Sequence, residues 1–128
     1  MLLYEKTTEQ IIASFYEVYN TLGYGYLEKV YERSMVHELR LRGIECTNQQ
    51  QIKVFYKGED VGDYYTDICV EGNIILELKS ASALKKEHEY QLMNYLKATN
   101  IELGFLFNFG IKPTFKRKIF SNDFRKNP

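Results

Sequence analysis

"YYTDICVEGNIILELKS" occupies residues 64–80, and the fold turns on how its two halves pair. In an extended chain Ile74, Leu76 and Leu78 share one side, while Ile75, Glu77 and Lys79 share the other. Charges are costly to bury unless paired or used, so a core strand carrying a carboxylate and an ammonium needs partners for them. Asp67 stands on the preceding strand, on the face that holds Tyr65 and Cys69. Two turns compete. A two-residue Gly72-Asn73 turn pairs Glu71 with Ile74, sets Asp67 opposite Leu78 and sends the two acids to opposite faces. A three-residue Glu71-Gly72-Asn73 loop pairs Val70 with Ile74 and sets Asp67 opposite Glu77. Only the second gathers Asp67, Glu77 and Lys79. That set offers hard oxygen ligands for Mg²⁺ or Mn²⁺, with an ammonium to orient a water or steady developing negative charge. An amphipathic strand with a Glu–Lys pair produces the same letters, so the pattern gains its weight from what surrounds it.

Outward from this hairpin, the chain alternates between two periods. "TTEQIIASFYEVYNTLG" repeats Ile11, Ile12, Phe15, Val18, Tyr19 and Leu22 at helical spacing, with Thr7 or Thr8 as the cap. "GYG" at 23–25 breaks it, and a second helix is expected from about residue 26 to 42, ending at Gly43. "QQIKVFYKG", "DYYTDICV" and "NIILELK" read as three antiparallel strands joined by "KGED" and "EGN" turns. A third helix is expected over about 84–99, followed by the apolar strand "IELGFLFNF" and the alternating, edge-like strand "TFKRKIF". The order ααβββαββ predicts an α/β fold, a mixed sheet with helices packed on it, in one domain spanning 1–128.

The 128 residues suit one core, and 17 basic against 17 acidic side chains exclude a global field toward nucleic acid or membrane. The charge is unevenly placed, because residues 112–128 hold six Lys or Arg against one Asp. Such a segment suits a phosphate backbone. Lys116 and Lys118 share one face of the last strand and Arg117 takes the other, although Lys also guards edge strands against aggregation. Cys46 and Cys69 form no ligand-spaced cluster, which fits a reducing cytosol. No long apolar segment is present, so the expectation is a cytoplasmic protein without a membrane partner.

On a helical wheel Leu27, Val30, Tyr31, Met35 and Leu39 form an apolar arc, and Glu28 falls within it, as does Glu38. Glu28 is therefore expected to point inward and to converge with Asp67 and Glu77, crowding that should raise a carboxylate pKa. In the third helix Gln91 and Tyr95 lie one turn apart, flanking Leu84 and His88. A structural role is the simpler reading of His88.

"GYLEKVY" places Gly25, Glu28 and Tyr31 in the spacing that names the GxxExxY protein family of bacteria and archaea, which looks like a branch of the PD-(D/E)XK nuclease superfamily. The resemblance runs on through "YYTDICVEGNIILELKS", "EHEYQLMNYLKAT" and "LGFLFNFG", then a basic strand, and so covers nearly the whole chain. "QLMNY" also resembles the Q-x-x-x-Y helix of RecB-like nucleases. The resemblance implies a restriction-endonuclease-like core in which Asp67 and Glu77 ligate Mg²⁺ or Mn²⁺ and Lys79 positions the nucleophilic water. It implies that Glu28 is an added acidic ligand and that Tyr31, Gln91 and Tyr95 support the site, while the alternation of the last strand offers Lys116, Arg117 and Lys118 as the nucleic-acid contacts. One departure stands out: relatives often carry Arg two positions before the Asp, where this chain has Tyr65. The expected activity is metal-dependent hydrolysis of phosphodiesters, in DNA ahead of RNA. The alternatives are a non-catalytic nucleic-acid- or protein-binding module on the same fold, and an adaptor or homodimer that uses its 11 Tyr and 8 Phe as interface.

Overall fold

The computed structural model describes residues 3–124. Arg125 and Lys126 of the basic C-terminal segment lie outside the described residues. Helices α1 (Glu5–Leu22) and α2 (Glu28–Leu41) precede strands β1 (Cys46–Tyr56), β2 (Glu59–Val70) and β3 (Ile74–Lys79). Helix α3 (Lys86–Lys97) then crosses to β4 (Leu103–Phe109), and β5 (Pro113–Ile119) closes the sheet. The sheet order is β1-β2-β3-β4-β5, with β3 and β4 parallel and the other neighbours antiparallel. This is the mixed α/β sheet and the ααβββαββ order that the periodicities predict, a restriction-endonuclease-like arrangement. Among the described residues no helix is long and apolar enough to cross a membrane.

Strand alternation divides the core in two. Ile74, Leu76 and Leu78 join Phe105, Phe107 and Phe109 under α1 and α2, against Ile11, Phe15, Tyr31, Met35 and Leu39. Ile75 and Leu106 face the other way, against Leu92, Tyr95 and Leu96 of α3. Helix α3 packs close to the sheet, since a Cβ added to Gly104 would meet Leu92 Cδ1 at 2.7 Å. The three-residue loop is the one adopted. Val70 pairs with Ile74, Asn73 N–H donates to Val70 O, and Glu71 and Gly72 both take positive φ (52° and 69°). The tighter Gly-Asn turn would have slipped the register by one residue, sending Asp67 and Glu77 to opposite faces and one of them into the α1/α2 core.

Several boundaries differ from those expected. Helix α1 begins at Glu5 with Tyr4 at its N-cap, and neither Thr7 nor Thr8 caps it. Thr8 is buried on the same face as Ile11 and Phe15, so the packed stripe starts one turn earlier than its apolar residues. Strands β1 and β2 each begin four residues before the expected positions, where a lone Cys46 or Val61 among polar residues leaves no alternation to read. His88 is structural: its Nδ1 accepts the Lys85 N–H at the start of α3.

Tyr31 ties the break between α1 and α2 to the core. It is fully buried and stacked on Phe109 at 4.2 Å. Its hydroxyl donates to Gly23 O at 2.6 Å and accepts the Tyr26 N–H at 3.2 Å, while Gly25 takes a φ of 107° that favours glycine. Tyr31→Phe keeps the stack and orphans both backbone groups, so urea unfolding should show a loss of about 1–2 kcal/mol with the fold retained.

Candidate functional site

Beyond Ile68↔Leu76 the β2–β3 ladder stops, and two carboxylates take its place. Glu77 Oε2 accepts the Asp67 N–H at 2.8 Å and the Thr66 hydroxyl at 3.0 Å. Asp67 Oδ2 accepts the Leu78 N–H at 2.7 Å. Each acid therefore grips the backbone of the opposite strand through one oxygen. Among the described residues no hydrogen bond uses Asp67 Oδ1 or Glu77 Oε1. Lys79, two residues on, donates to Gln91 Oε1 at 3.5 Å, and Gln91 Nε2 donates to the Tyr95 hydroxyl at 2.9 Å.

Burial dominates the electrostatics. Glu77 is 3 % exposed, and its pKa is pushed up to about 8, first by desolvation and then by the charge of Asp67. Asp67 is also raised, again by burial first, with the Leu78 N–H opposing and the charges of Glu32 and Glu28 adding to the rise. Lys79 offsets part of both shifts. The expected crowding is present, but loss of water is the larger cause.

A sequence model of the PD-(D/E)XK nuclease superfamily matches residues 5–119. The chain belongs to this superfamily. The crystal structure of SSO0001 is similar at a TM-score of 0.58 and 16 % identity. The match covers 92 % of this chain and 60 % of that one, so the chain spans less than two thirds of the length of that structure. No match was found among curated proteins. Asp67 and Glu77-x-Lys79 stand in the order of the letters in the superfamily's name, with Thr66 ahead of Asp67 where the name has Pro.

Set against that PD-(D/E)XK frame, the helix residues need correction. Glu28 does not point inward. It is exposed in the first turn of α2, and only its charge reaches Asp67. Its angle on the helix matches the buried arc, but the helix starts there, one turn short of what the sheet covers. Leu27 and Val30 are exposed as well, so the packed arc is Tyr31, Glu32, Met35, Val36 and Leu39. Glu32, which lies just past Leu39 at the edge of the arc that includes Leu27 and Val30, is the buried helix acid. It accepts Gln49 Nε2 at 2.8 Å and Asn48 Nδ2 at 3.3 Å, and pairs with Lys29. Its i,i+4 spacing from Glu28 was the available signal. Gln49, opposite Asp67 in the register and skipped by it, holds a positive φ of 55°.

Among the described residues no three His, Cys, Asp or Glu side chains converge on a common ligand position. The donor set that does exist is two carboxylate oxygens, which suits Mg²⁺, an ion that keeps several waters and takes one or two carboxylates. The basic strand β5 lies on the far edge of the sheet, with β3 and β4 between it and β2. Lys118 is held by Glu89 of α3 at 2.6 Å, and Lys116 is exposed on the rim of an open cleft of about 460 Å³ lined also by Ser82, Lys112 and Thr114. Arg117 pairs in register with Phe105 and is half-buried, its Nε and one terminal nitrogen without a hydrogen-bond partner.

The pH response follows from the raised acids. Folded Glu77 keeps its proton to about pH 8, whereas the unfolded chain releases it near 4.5. The native state binds more protons across that window, so stability falls as pH rises from about 4.5 to about 8. Thermal unfolding without metal should show this decline, and Glu77→Gln should flatten it. A divalent cation held by these acids would have to displace that proton, so a rise in Tm with Mg²⁺ is expected to be larger at pH 8.5 than at pH 6 and absent in Glu77→Gln.

Proposed function

We propose that the chain is a metal-dependent nuclease of the GxxExxY branch, with RecB-like features, that hydrolyses phosphodiester bonds in DNA. The observation that carries this reading is the pairing of Asp67 with Glu77 across β2 and β3, Lys79 beside them and one oxygen of each acid uncommitted. Asp67 Oδ1 and Glu77 Oε1 would hold Mg²⁺ or Mn²⁺. Such an ion, when bound, lowers the pKa of a water and stabilises charge on a phosphate oxygen.

The chain's own groups do the rest. Gln91 steadies the Lys79 ammonium, and Tyr95, braced on Gln91, fixes the amide in turn. Lys79 then orients the attacking water and offsets the negative charge that builds on the phosphate. Glu28, exposed in the first turn of α2, would act on a bound ion through its charge, which adds to the field around Asp67. Lys116 supplies a sequence-independent phosphate contact on the cleft beyond Lys79, with Lys118 joining once Glu89 releases it. Arg117, on the opposite side of β5, serves the strand rather than the cleft.

Cleavage of labelled DNA and RNA, single- and double-stranded, in Mg²⁺, Mn²⁺ or chelator tests this. The parent should cut DNA only with metal, and Lys79→Ala should lose about 100-fold or more of the rate while remaining folded. Metal-independent cleavage would contradict the metal-dependent reading, and no cleavage of any substrate would leave the chain as a binding module on the nuclease fold.

A further inference from the structure

The open cleft of about 460 Å³ beside β5 carries a chemistry of its own. Its polar lining includes Ser82, Lys112, Thr114 and Lys116, and its apolar lining includes Leu84 and Ile111. Among the described residues no acid lines it. Two ammonium groups and two hydroxyls therefore share one cleft whose wall offers nothing of opposite charge. Among the described residues no ion pair engages Lys112 or Lys116. Glu89 feels the charge of Lys116 but is held by Lys118 at 2.6 Å.

Strand alternation sets this cleft on the same face of the sheet as the acids. Glu77 pairs with Leu106 and Leu106 with Lys116, while Lys79 pairs with Asn108 and Asn108 with Thr114. Side chains paired across neighbouring strands share a face. Leu106 packs under α3, whereas Phe105, Phe107 and Phe115 pack into the α1/α2 core on the other side. Both rows thus lead from the proposed catalytic groups to the cleft across two strand spacings, about 10 Å. The wall between them is fixed. Asn108 is buried, and its amide accepts the Ala81 N–H at 2.9 Å and donates to Ala81 O at 3.0 Å. A Cβ added to Gly110 would meet Ala81 O at 2.5 Å, so the loop after β3 lies tight against the start of the β4–β5 turn. That clamp holds Ser82 and Leu84 in place before any ligand arrives.

A phosphate inside a nucleic-acid strand carries a single negative charge, whereas a monoester carries about 1.5 to 2 at pH 7. Two ammonium groups and two hydroxyls match the monoester better, and Leu84 and Ile111 suit the sugar or base attached to it. We infer that the Lys112–Lys116 cleft binds the phosphate monoester at the end of a nucleic-acid strand, with the terminal nucleotide against Leu84 and Ile111. This rests on the nuclease reading for what is done to the strand, and it deepens that reading by naming the substrate class: strands with phosphorylated ends. The distance from Glu77 to Lys116 then sets cleavage within a few nucleotides of that end, at about 3.4 Å of rise each.

The test is a binding measurement that needs no turnover. Dye-labelled oligothymidylates with a 5′-phosphate, a 3′-phosphate or only hydroxyl ends are titrated in chelator and followed by fluorescence anisotropy. One of the two phosphorylated strands should bind about tenfold or more tightly than the hydroxyl-ended strand, and which one gives the polarity. The Lys112→Ala, Lys116→Ala double variant, its fold checked by circular dichroism, should erase that ratio, and Lys116→Arg should keep it. Equal affinity for all three strands, or a preference that survives the double variant, would overturn the inference even if the parent cuts DNA. Inorganic phosphate that protects the parent but not the double variant against thermal unfolding, with no preference among the strands, would overturn it too and assign the cleft to a free anion. A preference for one phosphorylated end, lost in the double variant of a parent that never cleaves, would support the cleft and reject the nuclease instead.

Discussion

A single loop decides where the acids go. Glu71 and Gly72 in the left-handed region let β2 return as β3 in the register that sets Asp67 across from Glu77. The alternation of side chains then turns Ile74, Leu76 and Leu78 into the α1/α2 core and leaves Glu77 and Lys79 on the α3 side. Where the backbone ladder ends, the acids grip the opposite backbone, Asp67 the Leu78 amide and Glu77 the Asp67 amide. Those bonds fix both carboxylates and take them out of water. Their raised pKa values are the cost of that placement, and a divalent cation is the natural way to offset it.

The two faces of the sheet divide the work. On one side α1 and α2 bury the aromatic stack of Phe15, Phe107, Phe109 and Tyr31, so the Tyr of the Gly25-x-x-Glu28-x-x-Tyr31 run holds the core and the interhelical loop. On the other, α3 turns Gln91 and Tyr95 toward Lys79. Glu32 bridges the two. Buried in α2, it holds Asn48 and Gln49 where β1 passes Asp67, and its charge is felt there.

Much of this was legible in the sequence because it rests on period. The strand alternation in residues 74–79, the helical spacing of Gln91 and Tyr95 and the change of period after Gly43 each predict what the structure contains. The register was legible only as a choice between two loops, since Gly72-Asn73 favours the wrong one locally and burial of the alternate residues overrides it. Glu28 went astray because a wheel gives an angle and no depth along the axis: the angle was right, but the helix begins there. Glu32 was hidden by including Leu27 and Val30 in the arc, and both proved exposed. The added residues 59–62 at the start of β2 gave little signal, because Val61 is their one large apolar side chain and it is exposed.

The central claim is that the Asp67–Glu77 pairing is a divalent-metal centre. Crystals of the protein soaked in Mn²⁺, with anomalous scattering collected at the manganese edge, test it most directly. The account predicts a peak bonded to one oxygen of Asp67 and one of Glu77, its remaining ligands mostly water, and its loss in Glu77→Gln. A peak elsewhere, or a site that stays empty at millimolar Mn²⁺ and pH 8.5, would contradict it.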